Sequence, residues 1–314
     1  MTNQIKSLTL IVPCLNEGDN IPLFVNRVLE IRKSSPNINF RIMFVDDGST
    51  DKSREIIKKL SKDNTDISYV FLTRNFGAHL ALLAGLDSSF TDSAVLMPCD
   101  QVDNLNLVNQ MIKHASQGAE VVMGKRTNKS QTIINRLFSS AFYSLFNLTG
   151  DIKLPPGGSD FVLITKRPMN FLRKNKEYNT NIFMLLLWPG FKSVTFEYKN
   201  IKRATGLSKW TFGKRLTLAM DSFFGFSMMP LRIITLAGSL LSTFSFLFLI
   251  YTIFLYLTIG TPVPGIPTVI CIIVLGFGVT FLALGVMAEY LFRDLDFSRK
   301  RPIFVIDEQS DNND

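Results

Sequence analysis

Between Arg232 and Glu289 the chain has no Asp, Glu, Lys, Arg or His. That absence excludes an ordinary surface helix, which sets a polar face against its apolar stripe. Cysteine is scarce as well. Cys14, Cys99 and Cys271 are odd in number, widely separated and without metal spacing, so a disulfide framework and a zinc knuckle are both excluded. They read as reduced packing residues. There is no GxGxxG and no GxxxxGKS, which removes the dinucleotide fold and the P-loop. The N-terminus, MTNQIKSLTLIVP, has too short an apolar stretch for a signal peptide.

The uncharged run is long enough for two helices of about 20 residues, the length a membrane core of about 30 Å requires. Thr258–Pro267 reads TIGTPVPGIP, and its prolines and glycines end one helix and turn the chain before the next. The expected spans are Ile233–Leu257 and Thr268–Leu291. Lys214, Arg215 and Arg232 precede them, while Arg293, Arg299, Lys300 and Arg301 follow, and the connection carries no charge. Basic residues stay on the cytoplasmic side, so both termini are expected there. The formal charge of +8 then finds its partner in anionic lipid headgroups, and no nucleic-acid motif accompanies it.

Ahead of this run, short apolar segments alternate with longer helical ones. Leu8–Pro13, Arg41–Asp46, Ser68–Thr73, Ala94–Met97 and Glu120–Gly124 read as strands, and Asn20–Ile31 and Asp51–Leu60 as two of the helices between them. Such alternation predicts an α/β domain with a mostly parallel sheet covered on both faces. Ligands of such sheets bind beyond the carboxyl ends of the strands. Four of those ends are polar: Pro13-Cys14-Leu15-Asn16-Glu17, Asp46-Asp47-Gly48-Ser49-Thr50-Asp51, Thr73-Arg74-Asn75-Phe76-Gly77 and Pro98-Cys99-Asp100-Gln101-Val102-Asp103. Singly, each suits a turn or a helix cap. Together at one sheet edge they predict a polar cleft.

In order along the chain, IVPCLNE, FVDDGSTD, LTRNFGAHLALLAGLD, GKR, GSDFVL and RATGLSKW precede the two apolar spans. This series resembles the family 2 glycosyltransferases that act on polyprenyl phosphates, and it covers nearly the whole chain. The resemblance implies a GT-A nucleotide-sugar domain at 1–212 and an interfacial amphipathic helix at 213–232. A two-span transmembrane hairpin at 233–291 and a cytoplasmic tail at 292–314 complete the order. It implies that Pro13, Glu17 and Asp47 hold the base and ribose, with Asp100 near the diphosphate and its metal. A carboxylate can accept from a ring N–H or a ribose hydroxyl. Asp46 and Asp51 have the alternative role of capping the helix that begins near Asp51.

Arg126 matches the family arginine that faces the transferred or acceptor phosphate, where a planar guanidinium holds two oxygens at once. Arg203, Ser208 and Lys209 match its R-x-x-G-x-S-K loop, a pattern a lipid-headgroup patch would also produce. Asp160 matches the aspartate of a G-D-F-R-L segment, although Ser159 and Val162 replace the glycine and the arginine. A phosphate acceptor is already anionic, so the expected role of Asp160 is positioning.

The family's D-x-D-L-Q-D is Pro98-Cys99-Asp100-Gln101-Val102-Asp103 here, which leaves Asp100 and Asp103 as ligands for Mg²⁺ or Mn²⁺. Helical spacing of Ile133, Ile134, Leu137, Phe138, Ala141, Phe142 and Leu145, and of Leu216, Met220, Phe223, Phe224 and Ser227, suits a membrane surface and core packing alike.

The expected activity is inverting transfer of a hexose from a nucleotide diphosphate sugar to polyprenyl phosphate, with UDP-glucose or a related UDP-hexose favoured as donor. The expected partners are the donor, the lipid acceptor, the membrane and a second copy of the chain. A processive polysaccharide synthase would carry Q-x-x-R-W, which neither Trp188 nor Trp210 completes. A scaffold or transport subunit would have no use for the polar strand ends, and the spans offer a charged substrate no ionisable path.

Overall fold

The computed structural model of the chain describes residues 5–126, 159–177, 181–198, 229–259, 265–299 and 301–310. Its first half alternates as the pattern predicts: β1 (Ser7–Cys14), α1 (Asn20–Ser34), β2 (Asn39–Asp46), α2 (Ser53–Asp63), β3 (Ile67–Leu72), α3 (Ala78–Asp87), β4 (Ser93–Leu96), α4 (Leu107–Ser116) and β5 (Val121–Arg126). Three further strands follow among the described residues. They are β6 (Ser159–Thr165), β7 (Ser193–Tyr198) and β8 (Ile306–Gln309). Two short helices, α5 (Lys166–Lys174) and α6 (Ile182–Leu187), stand between β6 and β7, and two long ones, α7 (Met229–Ile259) and α8 (Ile266–Ser298), precede β8.

The strands form one sheet in the order β7-β5-β6-β4-β1-β2-β3-β8. The pairs β1–β2, β1–β4, β2–β3 and β5–β7 are parallel, whereas β4–β6, β5–β6 and β3–β8 are antiparallel. Alternation along the strands sends side chains to two buried layers. Leu8, Leu10, Val12, Phe24, Phe44 and Phe71 occupy one. Ile11, Met43, Val45 and Leu72 meet the leucines of α3 in the other. Every residue of α3 from Leu80 to Leu86 is buried. A Cβ added at Gly85 would stand 2.5 Å from Ile11 Cγ2 and 2.8 Å from Val45 Cγ2, so glycine is what lets this helix lie so close to the sheet.

The long helices are built differently. Leu236, Phe244, Phe246, Leu247, Phe254 and Leu257 of α7 are exposed, as are Phe277, Phe281 and Leu291 of α8. Ile233–Leu255 is long and apolar enough to cross a membrane, with mean hydropathy 2.1 and none of its window buried inside the protein. The apolar stretch of α8, Gly276–Phe292, is shorter, so among the described residues one helix passes this test where two were expected.

Two boundaries differ from the expectation. Met229–Arg232 belongs to α7 and not to a separate interfacial helix, the rest of which lies outside the described residues. Within the segment expected as a cytoplasmic tail, α8 continues to Ser298 and β8 joins the sheet. The acidic IDEQ of β8 carries no apolar alternation, and its partners are the cations Arg54 and Lys58.

Candidate active site

A central strand containing proline is unusual, because proline gives no ladder hydrogen bond. The backbone of Ile11 faces β4, since its carbonyl accepts from Met97 N at 3.1 Å, and Pro13, two residues on, presents its nitrogen to the same side. The β1–β4 ladder accordingly ends at Ile11↔Leu96, while β1–β2 continues to Cys14↔Asp46. Here β1 and β4 part, and here the strand order reverses. This is the topological switch point, where open α/β sheets bind their ligands.

On the β2 side the cleft is held by a dense set of hydrogen bonds. Asp46 is fully buried, and its Oδ2 accepts from Ser49 N at 3.0 Å and from Arg54 Nε at 2.7 Å. Ser49 Oγ accepts from Asn16 N at 2.9 Å, and Asn16 Oδ1 accepts from Thr50 N at 2.8 Å, which ties the β1 loop to the β2 turn. Asn16 sits in the left-handed region at φ 54, a conformation that asparagine tolerates better than most residues. Gly48 has φ +78, and a Cβ there would come within 2.7 Å of the Arg74 and Asn75 backbone, so the turn requires glycine twice over.

The candidate base-binding residues have structural partners. Asp47 is buried, and its two carboxylate oxygens accept from Phe76 N at 2.7 Å and Gly77 N at 3.0 Å, fixing the β3–α3 loop against β2. Glu17 is half-buried and accepts from Asn20 Nδ2 at 2.6 Å, while its own N–H donates to Ser53 Oγ at 3.0 Å. Asp51 does serve the start of α2, accepting from Ser53 N at 3.0 Å, and it accepts from Gly18 N at 3.2 Å as well. Partial burial pushes the Asp51 carboxyl up, but these hydrogen bonds outweigh it and hold the group below the usual carboxylate range.

The β4 side is looser. Asp100 is half-buried and follows the strand, and Asp103 is exposed in a 3₁₀ turn, Val102–Asn104. Gln101 is buried, and its Oε1 accepts from Asn104 Nδ2 at 2.5 Å. Among the described residues no group of three or more His, Cys, Asp or Glu is placed to hold a metal ion. Two carboxylates at a strand end nonetheless fit Mg²⁺ or Mn²⁺ that keeps water and takes its remaining ligands from a bound diphosphate.

Cys14 ends β1, and Cys99 lies three residues beyond the end of the neighbouring β4; both are buried free thiols. Burial first, and the neighbouring Cys99 second, push the Cys14 thiol well up, so it stays protonated.

Arg126 ends β5 and Asp160 lies at the start of the adjacent β6, where Lys125 pairs with Ser159. Through β4 and β6 the β5 strand runs parallel to β1, so Arg126 and Asp160 lie at the same sheet edge as Asp47 and Asp100. Lys125, their neighbour, is paired with Glu197 Oε1 at 2.7 Å. Arg203, Ser208 and Lys209, and both amphipathic segments at 133–145 and 216–227, lie outside the described residues.

Asn16, Ser49, Ser53 and Arg54 were absent from the expected site. Asn16 and Ser49 suit ordinary turns by sequence, and only the fold reveals that they join two loops.

The profile of glycosyl transferase family 2 matches residues 9–185. The bactoprenol glucosyl transferase of Shigella phage SfV is 31% identical over 300 residues, covering 95% of this chain and 97% of that protein. The prophage bactoprenol glucosyl transferase homolog of Escherichia coli (strain K12) is 29% identical over 300 residues, covering 95% and 98%. The fold is similar to that of glucosyl-3-phosphoglycerate synthase from Mycobacterium tuberculosis in complex with Mn²⁺, UDP-glucose and phosphoglyceric acid. That likeness has a TM-score of 0.50 and 12% identity, over 70% of this chain and 78% of that one. With a matched segment longer than half the chain, and the switch-point cleft inside it, the protein is a glycosyltransferase and belongs to glycosyl transferase family 2.

Proposed function

We propose that this enzyme transfers a hexose from UDP-glucose or a related UDP-hexose to polyprenyl phosphate, undecaprenyl phosphate in particular, with inversion, at the cytoplasmic face of a membrane. The observation that carries this reading is where the chain leaves and rejoins the sheet. β7 runs parallel to β5 and so ends at the cleft edge, and from there the chain passes to α7. It returns from α8 into β8, whose first residue Ile306 pairs with Leu72 at the carboxyl end of β3, again at the cleft edge. The cleft thus opens on the side from which the apolar helices are strung.

Because the flanking segments join one sheet, an even number of membrane crossings is required, and a spanning Ile233–Leu255 needs α8 as its return. The two-span hairpin at 233–291, a cytoplasmic catalytic domain at 1–212 and an interfacial segment at 213–232 follow from this reading. The exposed apolar residues of α7 and α8 would also suit a homo-oligomer built through these helices. Segment 292–314 is cytoplasmic in this scheme and completes the catalytic sheet.

In the reaction an oxygen of the lipid phosphate attacks the anomeric carbon as the bond to the nucleoside diphosphate breaks on the opposite face. The phosphate is anionic already, so no residue need take its proton, and Asp160 orients the reacting groups. Pro13, Glu17 and Asp47 receive the base and ribose, and Arg126 holds phosphate oxygens in a bidentate grip. Arg203, Ser208 and Lys209 receive the acceptor's phosphate. Asp100, assisted by Asp103, would hold Mg²⁺ or Mn²⁺, which when bound supplies positive charge to the departing diphosphate.

The test is to incubate the purified protein with undecaprenyl phosphate and a panel of radiolabelled nucleotide sugars, then extract lipid. Label should enter lipid from a UDP-hexose only when the lipid phosphate is present. Label in a water-soluble polymer, or in no lipid with any donor, would overturn the reading.

A further inference from the structure

We propose that Arg54 and Asp307 are positioning residues for the donor, and that through them the strand following the apolar helices sets the geometry of the donor turn. The proposal rests on reading the cleft as a nucleotide-sugar site. Arg54 Nε donates to Asp46 Oδ2 at 2.7 Å, Nη1 to Asp307 Oδ2 of β8 at 2.9 Å, and Nη2 to the Leu72 carbonyl at 2.6 Å. Its guanidinium also lies 5.1 Å over the Phe71 ring. One side chain therefore joins the ends of β2 and β3 and the start of β8.

Burial alone would lower the Arg54 pKa, but Asp46 and then Asp307 more than offset this, so the cation is held in charged form between the two carboxylates. Asp46 is fully buried and needs that cation. The same Asp46 oxygen accepts from Ser49 N, and Ser49 Oγ in turn accepts from Asn16 N. An unbroken series of hydrogen bonds thus runs from β8 to both loops that line the β2 side of the cleft.

Only residues 299–305 separate the end of α8 from β8. That connection is seated along the way. Ile303 and Phe304 pack on the core layer beneath α3, and Val305 O accepts from Thr73 N at 3.0 Å. The segment leading into β8 is therefore anchored to the sheet, which fixes Asp307 beside Arg54. Its neighbour Glu308 supplies an internal control. It pairs with Lys58 at 2.6 Å and accepts from Tyr69 Oη at 2.9 Å, gluing β8 to the sheet with no direct hydrogen bond to Asp46.

The experiment uses the full chain in lipid nanodiscs, with UDP as the probe for binding and amide hydrogen exchange at Ser49 and Thr50 as the probe for the turn. Asp307→Asn should weaken UDP binding about threefold, the scale of a half-exposed ion pair. It should raise donor KM by the same factor with kcat unchanged, and speed exchange at Ser49. Asp307→Glu should recover most of the loss, and Arg54→Lys, which keeps the charge but not the fork, should lose more. Glu308→Gln should leave UDP binding and Ser49 exchange at wild-type values. Equal losses in Asp307→Asn and Glu308→Gln would reduce β8 to a structural strand and overturn the proposal. So would unchanged Ser49 exchange in Asp307→Asn. A wild-type protein that binds no UDP would instead count against the donor reading, and the exchange measurement would still decide the coupling.

Discussion

Phenylalanine behaves in opposite ways in two parts of this molecule. Phe24, Phe44 and Phe71 are at 0% exposure inside the sheet layers, whereas Phe244 and Phe246 of α7 stand at 59% and 62%. The sheet domain buries the aromatics Phe24, Phe44 and Phe71 against its own helices, although Phe90 and Trp188 stay at its surface. The long helices leave theirs facing outward, which is stable only where the surroundings are themselves apolar. On the proposed function the same residue reports two different solvents, with the boundary between them at the edge where the cleft opens.

The largest expected effect separates those two environments. Phe44→Ala should cost the catalytic domain about 3–5 kcal/mol, the usual penalty for emptying an aromatic site in a packed core. Phe246→Ala should leave that domain's unfolding midpoint in detergent unchanged. Equal destabilisation by the two would mean that α7 packs on the sheet and that the contrast is false. Leu247→Arg sharpens the point from the other side, since a central arginine costs about 2.5–3.5 kcal/mol on insertion scales. It should move the protein out of the membrane fraction without altering UDP binding by the fraction that remains folded.

Next in size is a contrast between the two sides of the cleft. Asp47 accepts two backbone N–H groups, so Asp47→Ala should both weaken nucleotide binding and cost about 1–3 kcal/mol of stability by stranding those donors. Asp100→Asn keeps the shape and removes a charge from the looser side. It should leave the melting temperature alone and reduce the response of turnover to added Mg²⁺ or Mn²⁺. Full turnover of the wild type in excess EDTA would remove metal from the scheme altogether. A melting temperature lowered as far by Asp100→Asn as by Asp47→Ala would show that the two sides are built alike.

How far the sequence could be read follows from the same division. The first five strands carry apolar runs between turn residues, and their starts and ends fall within two residues of the expected positions. Burial on both faces of a central sheet leaves such continuous apolar runs in the sequence. β8 leaves none, because IDEQ is an edge strand whose stability comes from ion pairs and backbone pairing with β3. The polar strand ends were legible as a set, and the fold brings them to one edge of the sheet. The hydrogen bonds that join Asn16 to the Ser49 turn, and Arg54 to β8, were not, because they link segments distant in the chain. The second span looked equal to the first by its lack of charge, yet its apolar window proved shorter once the helix was delimited.

A smaller effect is expected from acid. Burial pushes the His79 imidazole down to about 4 from an ordinary 6.5, and its Nδ1 is shut off from solvent with no hydrogen-bond partner among the described residues. Between those two pH values the unfolded chain binds a proton that the folded chain refuses. Stability should therefore fall as pH drops from about 6.5 towards 4. The ring retains intermediate surface exposure, so the loss should be about 1–2 kcal/mol, less than full burial would give. His79→Gln should flatten that limb of the stability profile. An unchanged limb would assign the acid sensitivity to other groups.

The smallest effect tests whether every cation at the cleft edge serves the reaction. Lys125 stands beside Arg126 at the end of β5, and by sequence both are candidates to neutralise the leaving diphosphate. In the fold Lys125 is bound to Glu197 of β7, a pair whose acidic partner is 60% exposed. An exposed pair of this kind contributes about 0–1 kcal/mol, so Lys125→Gln should shift the melting temperature by no more than a degree or two. Because its charge is already matched by a carboxylate, donor KM and kcat should stay within about twofold of wild type, a change of roughly 0.4 kcal/mol. Glu197→Gln releases the ammonium from its partner and should bring the enzyme no faster turnover if the pair is only structural. A tenfold fall in turnover for Lys125→Gln, with stability unchanged, would show that the lysine leaves Glu197 when the donor binds. The positive charge facing the diphosphate would then come from Lys125 and Arg126 jointly.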